Sequence, residues 1–311
     1  MQTHSSILGS IGNTPLVELR AIVPAGSARI FLKIESANPT GSMKDRMALA
    51  MIEGAERSGK LKPGQSVVEY TGGSTGVSLA FVCAAKKYPL HIVSSDAFSK
   101  QKLDHMRALG AELTIVKSDS GGMDAALVRN MSEEARKIAE KTGAFRTDQF
   151  SNRDQPSGYH KMADEIIEQT GGKVDAFVQS VGTSGSIRGN SERLREKLAA
   201  IHIVAVEPSE SPVLSGGKSG SHKIEGIGAG FVVPLWDRSL VDEVTTVSTD
   251  EAKAMSRRLA RDEAIMGGTS TGCNLVVALR VAEKLGKGAT VVTIMCDSGS
   301  KYLSTDVYAN P

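Results

Sequence analysis

Short apolar segments alternate with amphipathic ones along most of this chain. The segment RIFLKIE (29–35) is typical of a strand, and the amphipathic segment 43–59 after it predicts a helix that ends at a glycine. Further strands are predicted at 66–70, 90–95, 111–117, 176–182, 201–208 and 289–297, and further helices at 74–88, 100–110, 123–143, 153–172, 186–198 and after residue 272. Such alternation is typical of parallel sheets covered by helices on both faces, so we predict an α/β fold.

The alternating segments form two series, which predicts two lobes. The predicted boundary lies near TDQFSNRDQP (147–156), giving an N-terminal lobe at 1–150 and a C-terminal lobe at 151–311. The first residues could cross back to the second lobe. Between 208 and 240 the pattern fails, because Ser, Gly and Pro predominate there. The apolar residues within this stretch favour an ordered loop rather than a disordered one: Val213, Leu214, Ile224, Ile227 and Phe231.

Composition excludes several classes of protein. The net charge is +2 and aromatic residues make up 4%, without a basic run, so no nucleic-acid surface is predicted. No apolar run reaches the length of a membrane span, and the N-terminus lacks the pattern of a signal peptide. Three cysteines and six scattered histidines show no disulfide or metal-ligand spacing. We expect a cytoplasmic protein that binds neither nucleic acid nor membrane and holds no metal.

Three glycine-rich stretches stand where a predicted strand gives way to a helix. They are YTGGSTG (70–76), SVGTSGSIRG (180–189) and MGGTSTG (266–272). Ligands of parallel α/β folds bind at the carboxyl ends of strands, and the free N–H groups at a helix start bind anions. GTSGS, following the apolar strand AFVQSV, has the best pattern for holding a phosphate.

The sequence does not match the glycine motifs of nucleotide-binding proteins, and it matches that of serine hydrolases only in part. Neither GTSGSIRG nor GIGAG matches the dinucleotide fingerprint, and GGKSG lacks the first glycine of a P-loop. The hydrolase pattern G-x-S-x-G occurs around Ser74 and Ser270, but no histidine follows Ser270. The histidines after Ser74 do not stand in a late loop that follows an acid-bearing strand. A serine hydrolase is therefore disfavoured.

Lys44 opens a predicted helix within the small-residue segment NPTGSMKDRMA (38–48). A lysine amine forms a Schiff base with pyridoxal phosphate when it can deprotonate in a partly buried site. A phosphate-binding loop without a nucleotide fingerprint, together with such a lysine, favours this cofactor. A serine or threonine near the C-terminus would leave the ring nitrogen unprotonated, a weak electron sink that suffices for β-elimination.

Several motifs in order identify a family. The chain resembles the cysteine synthases (O-acetylserine sulfhydrylases) and cystathionine β-synthases, which are pyridoxal-phosphate enzymes of fold type II. The likeness is carried by IGNTPLVEL (11–19), ESANPTGSMKDR (35–46), GVSLAFV (76–82), DQFSN (148–152), VEPSESPVLSGGKSGSHKIEGIGAGFV (206–232) and DSGSKYLST (297–305). It implies two α/β lobes like those of tryptophan synthase β, each a mostly parallel sheet flanked by helices, with the cofactor in the crevice between them.

The resemblance also implies site residues. Lys44 corresponds to the Schiff-base lysine that moves the proton at Cα, and Ser270 to the residue at the ring nitrogen. The implied phosphate loop is Gly182, Thr183, Ser184, Gly185 and Ser186. The implied substrate contacts are Thr71, Gly72, Gly73, Ser74, Thr75 and Gln149, which take the carboxylate, and Gly226, Ile227 and Gly228, which line the cofactor and substrate.

Two loops depart from the family pattern. Relatives commonly have TSGNTG in the carboxylate loop, and the asparagine contacts the 3′-oxygen of the cofactor. Here Gly72 replaces the serine, which removes a polar contact to the amino acid, and the shorter Ser74 replaces the asparagine. Ser184 replaces a common glycine, a small change if its φ stays negative.

We predict a transferase that makes L-cysteine and acetate from O-acetyl-L-serine and sulfide, through an α-aminoacrylate. Three alternatives stay open: a cystathionine- or lanthionine-type β-synthase or related lyase using serine or cysteine, a binding protein on a retired enzyme scaffold, and the hydrolase. The resemblance implies a homodimer. It also makes serine acetyltransferase a candidate partner, alongside the amino acid and a thiol or sulfide.

Overall fold

The structure is a computed structural model that describes residues 3–118 and 125–309. The first two residues of the helix predicted at 123–143 lie outside this range. The described strands are β1 (Leu16–Leu19), β2 (Arg29–Ile34), β3 (Val67–Tyr70), β4 (Leu90–Ser95), β5 (Glu112–Val116), β6 (Phe145–Arg146), β7 (Ala176–Ser180), β8 (His202–Pro208), β9 (Glu243–Val247) and β10 (Thr290–Met295). The α-helices are α1 (Lys44–Arg57), α2 (Ser74–Lys86), α3 (Lys100–Ala108), α4 (Ala125–Thr142), α5 (Gln155–Thr170), α6 (Gly185–Lys197), α7 (Thr249–Glu263) and α8 (Thr269–Leu285). Short 3-10 helices lie at Ile7–Ser10, Glu35–Ala37, Arg238–Leu240 and Gly299–Tyr302.

One compact unit contains Lys44–Gln155 together with the described part of Met1–Ile11. Its four strands pair in the order β5-β4-β3-β6, and every pair is parallel. All four positions of β3 are buried, because the sheet continues on both sides of this strand and α4 packs beside it. The apolar cluster around β3 consists of Val68, Tyr70, Val93, Leu127, Met131 and Ala135.

The second unit contains Gly12–Met43 and the chain from Pro156 onward. Its six strands pair in the order β1-β2-β10-β7-β8-β9, with β1 antiparallel to β2 and the other neighbours parallel. The early strands β1 and β2 therefore share a sheet with strands from the last half of the chain. The six residues of β10 are all buried, two threonines among them, as is typical of a parallel strand with a neighbour on each side.

The predicted α/β class is confirmed, and each predicted strand and helix has a counterpart within a few residues. Sequence analysis missed β1, β6, β9 and α7. A signal for α7 was present, because Ser248 and Glu251 form a capping box before an amphipathic segment. Strand β6 has only two residues, too few to show a periodicity.

The irregular stretch after β8 is held by side chains, as an ordered loop requires. Glu207 accepts hydrogen bonds from the N–H groups of Leu214 and Ser215 at 2.7 and 2.8 Å. Ile224 and Ile227 are buried in the apolar core of the second unit, whereas Phe231 is exposed. The stretch is thus anchored near its start and in its middle.

Two expectations from composition concern membranes and disulfides. No helix within residues 3–118 and 125–309 combines the length and apolar character that a bilayer span requires. Cys83, Cys273 and Cys296 are all buried, and none of them takes part in a disulfide.

Candidate active site

Lys44 is the first residue of α1 and is half-buried. The residues directly before it are fixed in the second unit, where the Met43 N–H donates to the Cys296 carbonyl at 2.9 Å and the Ser298 N–H donates to the Gly41 carbonyl at 3.0 Å. The start of a helix places the lysine at a defined position, with its backbone anchored rather than in a loose loop.

The carboxylate loop connects β3 to α2. The Thr71 N–H donates to the Val93 carbonyl at 2.9 Å, and the Gly73 N–H donates to the Thr71 hydroxyl at 3.3 Å. Gly73 caps α2 and has no side chain to occupy the N–H groups of the first helical turn, which include those of Ser74 and Thr75. Such a helix start provides donors for a carboxylate.

Gln149 belongs to the same unit and is buried beside this loop. Its side-chain amide donates to the Tyr70 carbonyl at 2.9 Å, and its backbone N–H donates to Glu69 at 2.9 Å. The two predicted carboxylate contacts, the loop after β3 and Gln149, are therefore linked by hydrogen bonds around Tyr70.

Glu69 is a residue that sequence analysis missed. This fully buried carboxylate accepts hydrogen bonds from the Thr147 hydroxyl at 2.6 Å and from the N–H groups of Tyr70 and Gln149. Burial raises the pKa of Glu69 to about 7. Two residues that donate to Glu69, Thr147 and Gln149, flank Asp148, whose φ is +49°. An acid inside the apolar strand VVEY was the available signal.

Three segments of the second unit lie next to one another: residues 181–182, residues 225–228 and Thr269. A Cβ at Gly182 would lie 2.4 Å from the Gly226 carbonyl oxygen, so only glycine allows this approach. The Gly228 N–H donates to the Val181 carbonyl at 3.0 Å, and the Glu225 N–H donates to the Thr269 hydroxyl at 3.0 Å. The phosphate loop, the 226–228 loop and the start of α8 are thus adjacent.

Ser184 departs from the expectation for its backbone. Its φ is +67°, so the condition of a negative φ is not met, and the residue adopts the left-handed conformation that favours glycine. Its hydroxyl is buried and has no hydrogen-bond partner among the described residues. As the N-cap of α6 it makes no side-chain cap, which leaves the first N–H groups of that helix available to an anion.

Ser186 and Ser270 are both buried near helix starts. The Ser186 hydroxyl accepts a hydrogen bond from the Gln179 amide at 2.7 Å and keeps its own proton to donate. Ser270 is the second residue of α8.

Asn274 is a second residue that sequence analysis missed. This buried residue of α8 accepts from the Ser180 N–H at 2.7 Å and donates to the Ile294 carbonyl at 2.9 Å. It therefore ties the carboxyl ends of β7 and β10 to the helix that carries Ser270. Nothing in the local sequence distinguishes Asn274 from a residue on a polar helix face.

The residues fit a phosphorylated cofactor. The Gly182–Gly226 approach, the uncapped start of α6 and the unpaired Ser184 hydroxyl all belong to one unit and would suit a phosphate. Lys44, residues 71–75 and Gln149 belong to the other unit. In the part of the chain that the structure describes, no cluster of His, Cys, Asp or Glu could hold a metal ion.

Comparison with known proteins gives consistent relatives. A family described as pyridoxal-phosphate dependent enzyme matches residues 7–297. A cysteine synthase of Staphylococcus aureus is 43% identical over 302 residues, which cover 96% of this chain and 95% of the relative. A crystal structure of a cysteine synthase from Entamoeba histolytica superposes with a TM-score of 0.94 at 37% identity, covering 100% of this chain and 92% of the other. A crystal structure of O-ureido-L-serine synthase gives a TM-score of 0.93 at 36% identity, covering 99% and 96%.

Proposed function

Because the chain belongs to the pyridoxal-phosphate dependent enzymes, we propose that it makes L-cysteine from O-acetyl-L-serine and sulfide, releasing acetate. Its relatives support a β-replacement that depends on pyridoxal phosphate. The observation that carries the choice of substrates is the 43% identity to a cysteine synthase over nearly the whole chain.

We assign each contact of the cofactor to a residue. Lys44 would hold the aldehyde carbon, residues 182–186 the phosphate, Ser270 the ring nitrogen and Ser74 the 3′-oxygen. When bound, the cofactor supplies an electron sink for the bond between the substrate Cα and its hydrogen. A neutral serine at the ring nitrogen suits a reaction in which the leaving group carries off the electron pair.

The protein's own groups bind and orient the substrate, and one of them moves a proton. The N–H groups at the start of α2 and the hydroxyls of residues 71–75 take the substrate carboxylate, and Gln149 keeps its amide oxygen and second N–H near the same loop. The free amine of Lys44 would remove the proton from the substrate Cα and later return it. A closed, water-poor site would limit the loss of the reactive species to hydrolysis.

Lys44→Ala is the direct test. We expect it to abolish cysteine formation and to remove the visible absorption of the covalently held cofactor, while Lys60→Ala, which changes an exposed lysine beyond α1, preserves both. The assay measures cysteine from O-acetyl-L-serine and sulfide together with the visible spectrum. Retained β-replacement in Lys44→Ala would contradict the assignment.

The same visible spectrum distinguishes O-acetyl-L-serine and sulfide from other possible pairs of substrates. The similarity to an O-ureido-L-serine synthase indicates that one fold accommodates more than one β-substituted serine. If serine or cysteine perturbs the cofactor band and O-acetyl-L-serine does not, the enzyme is instead a cystathionine- or lanthionine-type β-synthase. Replacing sulfide by homocysteine then identifies the nucleophile.

A further inference from the structure

Phe98 lies directly against Gly72 in the carboxylate loop. A Cβ on Gly72 would lie 1.9 Å from Cγ and Cδ2 of the Phe98 ring and 2.2 Å from Cδ1. Cβ atoms essentially never come closer than 3.0 Å to a heavy atom outside their own residue and its two chain neighbours. The ring and a side chain at position 72 therefore exclude each other.

The ring cannot easily move aside. Phe98 is half-buried and packs against the apolar cluster that includes Val68 and Tyr70. Its backbone is fixed in the turn after β4, where its N–H donates to the Ser95 carbonyl at 3.2 Å and the Ala97 N–H donates to the Ser95 hydroxyl at 3.2 Å. The contacting atoms belong to the root and near edge of a rigid ring, so relief requires rotating the whole side chain out of its cluster.

We propose that Phe98 determines how this enzyme binds its first substrate. The ring takes the space of the polar side chain that the family pattern has at position 72, and it closes one side of the loop with an apolar wall. The substrate carboxylate is then held by the main-chain N–H groups at the start of α2 and by Thr71, without a hydroxyl from position 72. This inference rests on the proposed function, since it assigns the loop to an amino-acid carboxylate.

The chemistry explains why the two residues go together. Hydrogen bonds from N–H groups to a carboxylate strengthen when water is excluded, and an aromatic wall excludes water from that side of the loop. A serine at position 72 would add a donor, but in this chain it would push the ring out and open the loop. Gly72 and Phe98 thus form a coupled pair.

A double-mutant cycle tests the coupling with purified holoenzyme. The proteins are wild type, Gly72→Ser, Phe98→Ala and the double variant. We expect Gly72→Ser to raise the KM for O-acetyl-L-serine by about tenfold or more, and Phe98→Ala to raise it by a smaller factor. The double variant should recover toward the wild-type KM, because the serine then has room, and the KM for sulfide should stay unchanged throughout.

Ile138→Ala is the matched control. Ile138 is a half-buried residue packed against the same cluster, so its loss should lower the thermal midpoint without changing the KM for O-acetyl-L-serine. Gly72→Ser with a wild-type KM, or single effects that multiply in the double variant, would overturn the inference. A wild-type holoenzyme whose spectrum fails to respond to O-acetyl-L-serine would instead refute the proposed substrate. The thermal midpoints of the four proteins would then test the contact between residue 72 and Phe98. A midpoint that Gly72→Ser lowers and the double variant restores would support the contact, and a midpoint that is not restored would refute it.

Discussion

Ser184 should destabilise the protein that lacks its cofactor, so replacing it with glycine should stabilise that protein. The left-handed conformation costs a residue with a Cβ about 1–2 kcal/mol, and a buried hydroxyl without a partner costs about 1–3 kcal/mol. Glycine removes both terms but returns about 0.4–1 kcal/mol through the greater freedom of the unfolded chain. The net expectation for Ser184→Gly is a gain of about 3 kcal/mol in the free energy of unfolding, with a range of about 1–4.6 kcal/mol from these terms.

Two further variants separate the terms. Ser184→Ala keeps the Cβ and removes only the hydroxyl, so it should recover the part due to the unpaired group. Ala264→Gly is the matched control for the backbone, because Ala264 has a φ of +56° at the end of α7 and no hydroxyl. We expect Ala264→Gly to raise the free energy of unfolding by about 0–1.6 kcal/mol, which is less than Ser184→Gly because no unpaired hydroxyl is removed.

Thermal unfolding of the cofactor-free proteins is the assay. A gain of about 3 kcal/mol corresponds to a rise of roughly 6–12 °C in the thermal midpoint for a chain somewhat smaller than this one. With pyridoxal phosphate bound, the gain from Ser184→Gly should shrink, since the hydroxyl then has the phosphate as a partner. If Ser184→Gly stabilises the cofactor-free protein no more than Ala264→Gly does, the reasoning about the unpaired hydroxyl is refuted.

Glu69→Gln should change how stability depends on pH. Burial raises the pKa of Glu69 from 4.5 to about 7, so the folded protein holds this proton more tightly and stability falls as the pH rises between those values. Glu69→Gln should remove this fall in the free energy of unfolding, which amounts to about 3 kcal/mol. Denaturant titrations at pH 5 and pH 8 measure it, and a variant with the same dependence on pH as the wild type would contradict the role of burial. Gly182→Ala should weaken retention of pyridoxal phosphate by about tenfold or more, because its Cβ would displace the Gly226 carbonyl. Titration of the cofactor-free protein with pyridoxal phosphate measures this, and wild-type retention would contradict the crowding.

The alternation of apolar strands and amphipathic helices was enough to predict the α/β class, since periodicity and burial act locally along each element. Strand β9 was missed because four of its five residues are only half-buried, and its sequence lacks a continuous apolar run. Strand β1 is a four-residue edge strand whose antiparallel pairing with β2 depends on a contact outside its own sequence.

In the candidate site, too, local motifs could be predicted and contacts between distant segments could not. Glycine-rich loops and Lys44 could be recognised because their motifs are local. Phe98 and Asn274 could not, since each acts on a residue of another segment that the fold brings near, whereas Glu69 gave only the signal of an acid inside an apolar strand. The positive φ of Ser184 also escaped sequence analysis, because a serine gives no indication that its backbone will adopt a conformation typical of glycine.

The pairing of β2 with β10 has a consequence for synthesis on the ribosome. Residues 44–155 form most of one unit in a single stretch and can fold once they have emerged. In contrast, Arg29 pairs with Thr290 and Ile34 with Met295, so β2 lacks one neighbour until nearly the entire chain has been made. During that interval β2 and β1 expose an unpaired strand edge, which is a site for aggregation or chaperone binding. A chain stalled before residue 290 is therefore expected to have its first unit folded and its larger sheet open.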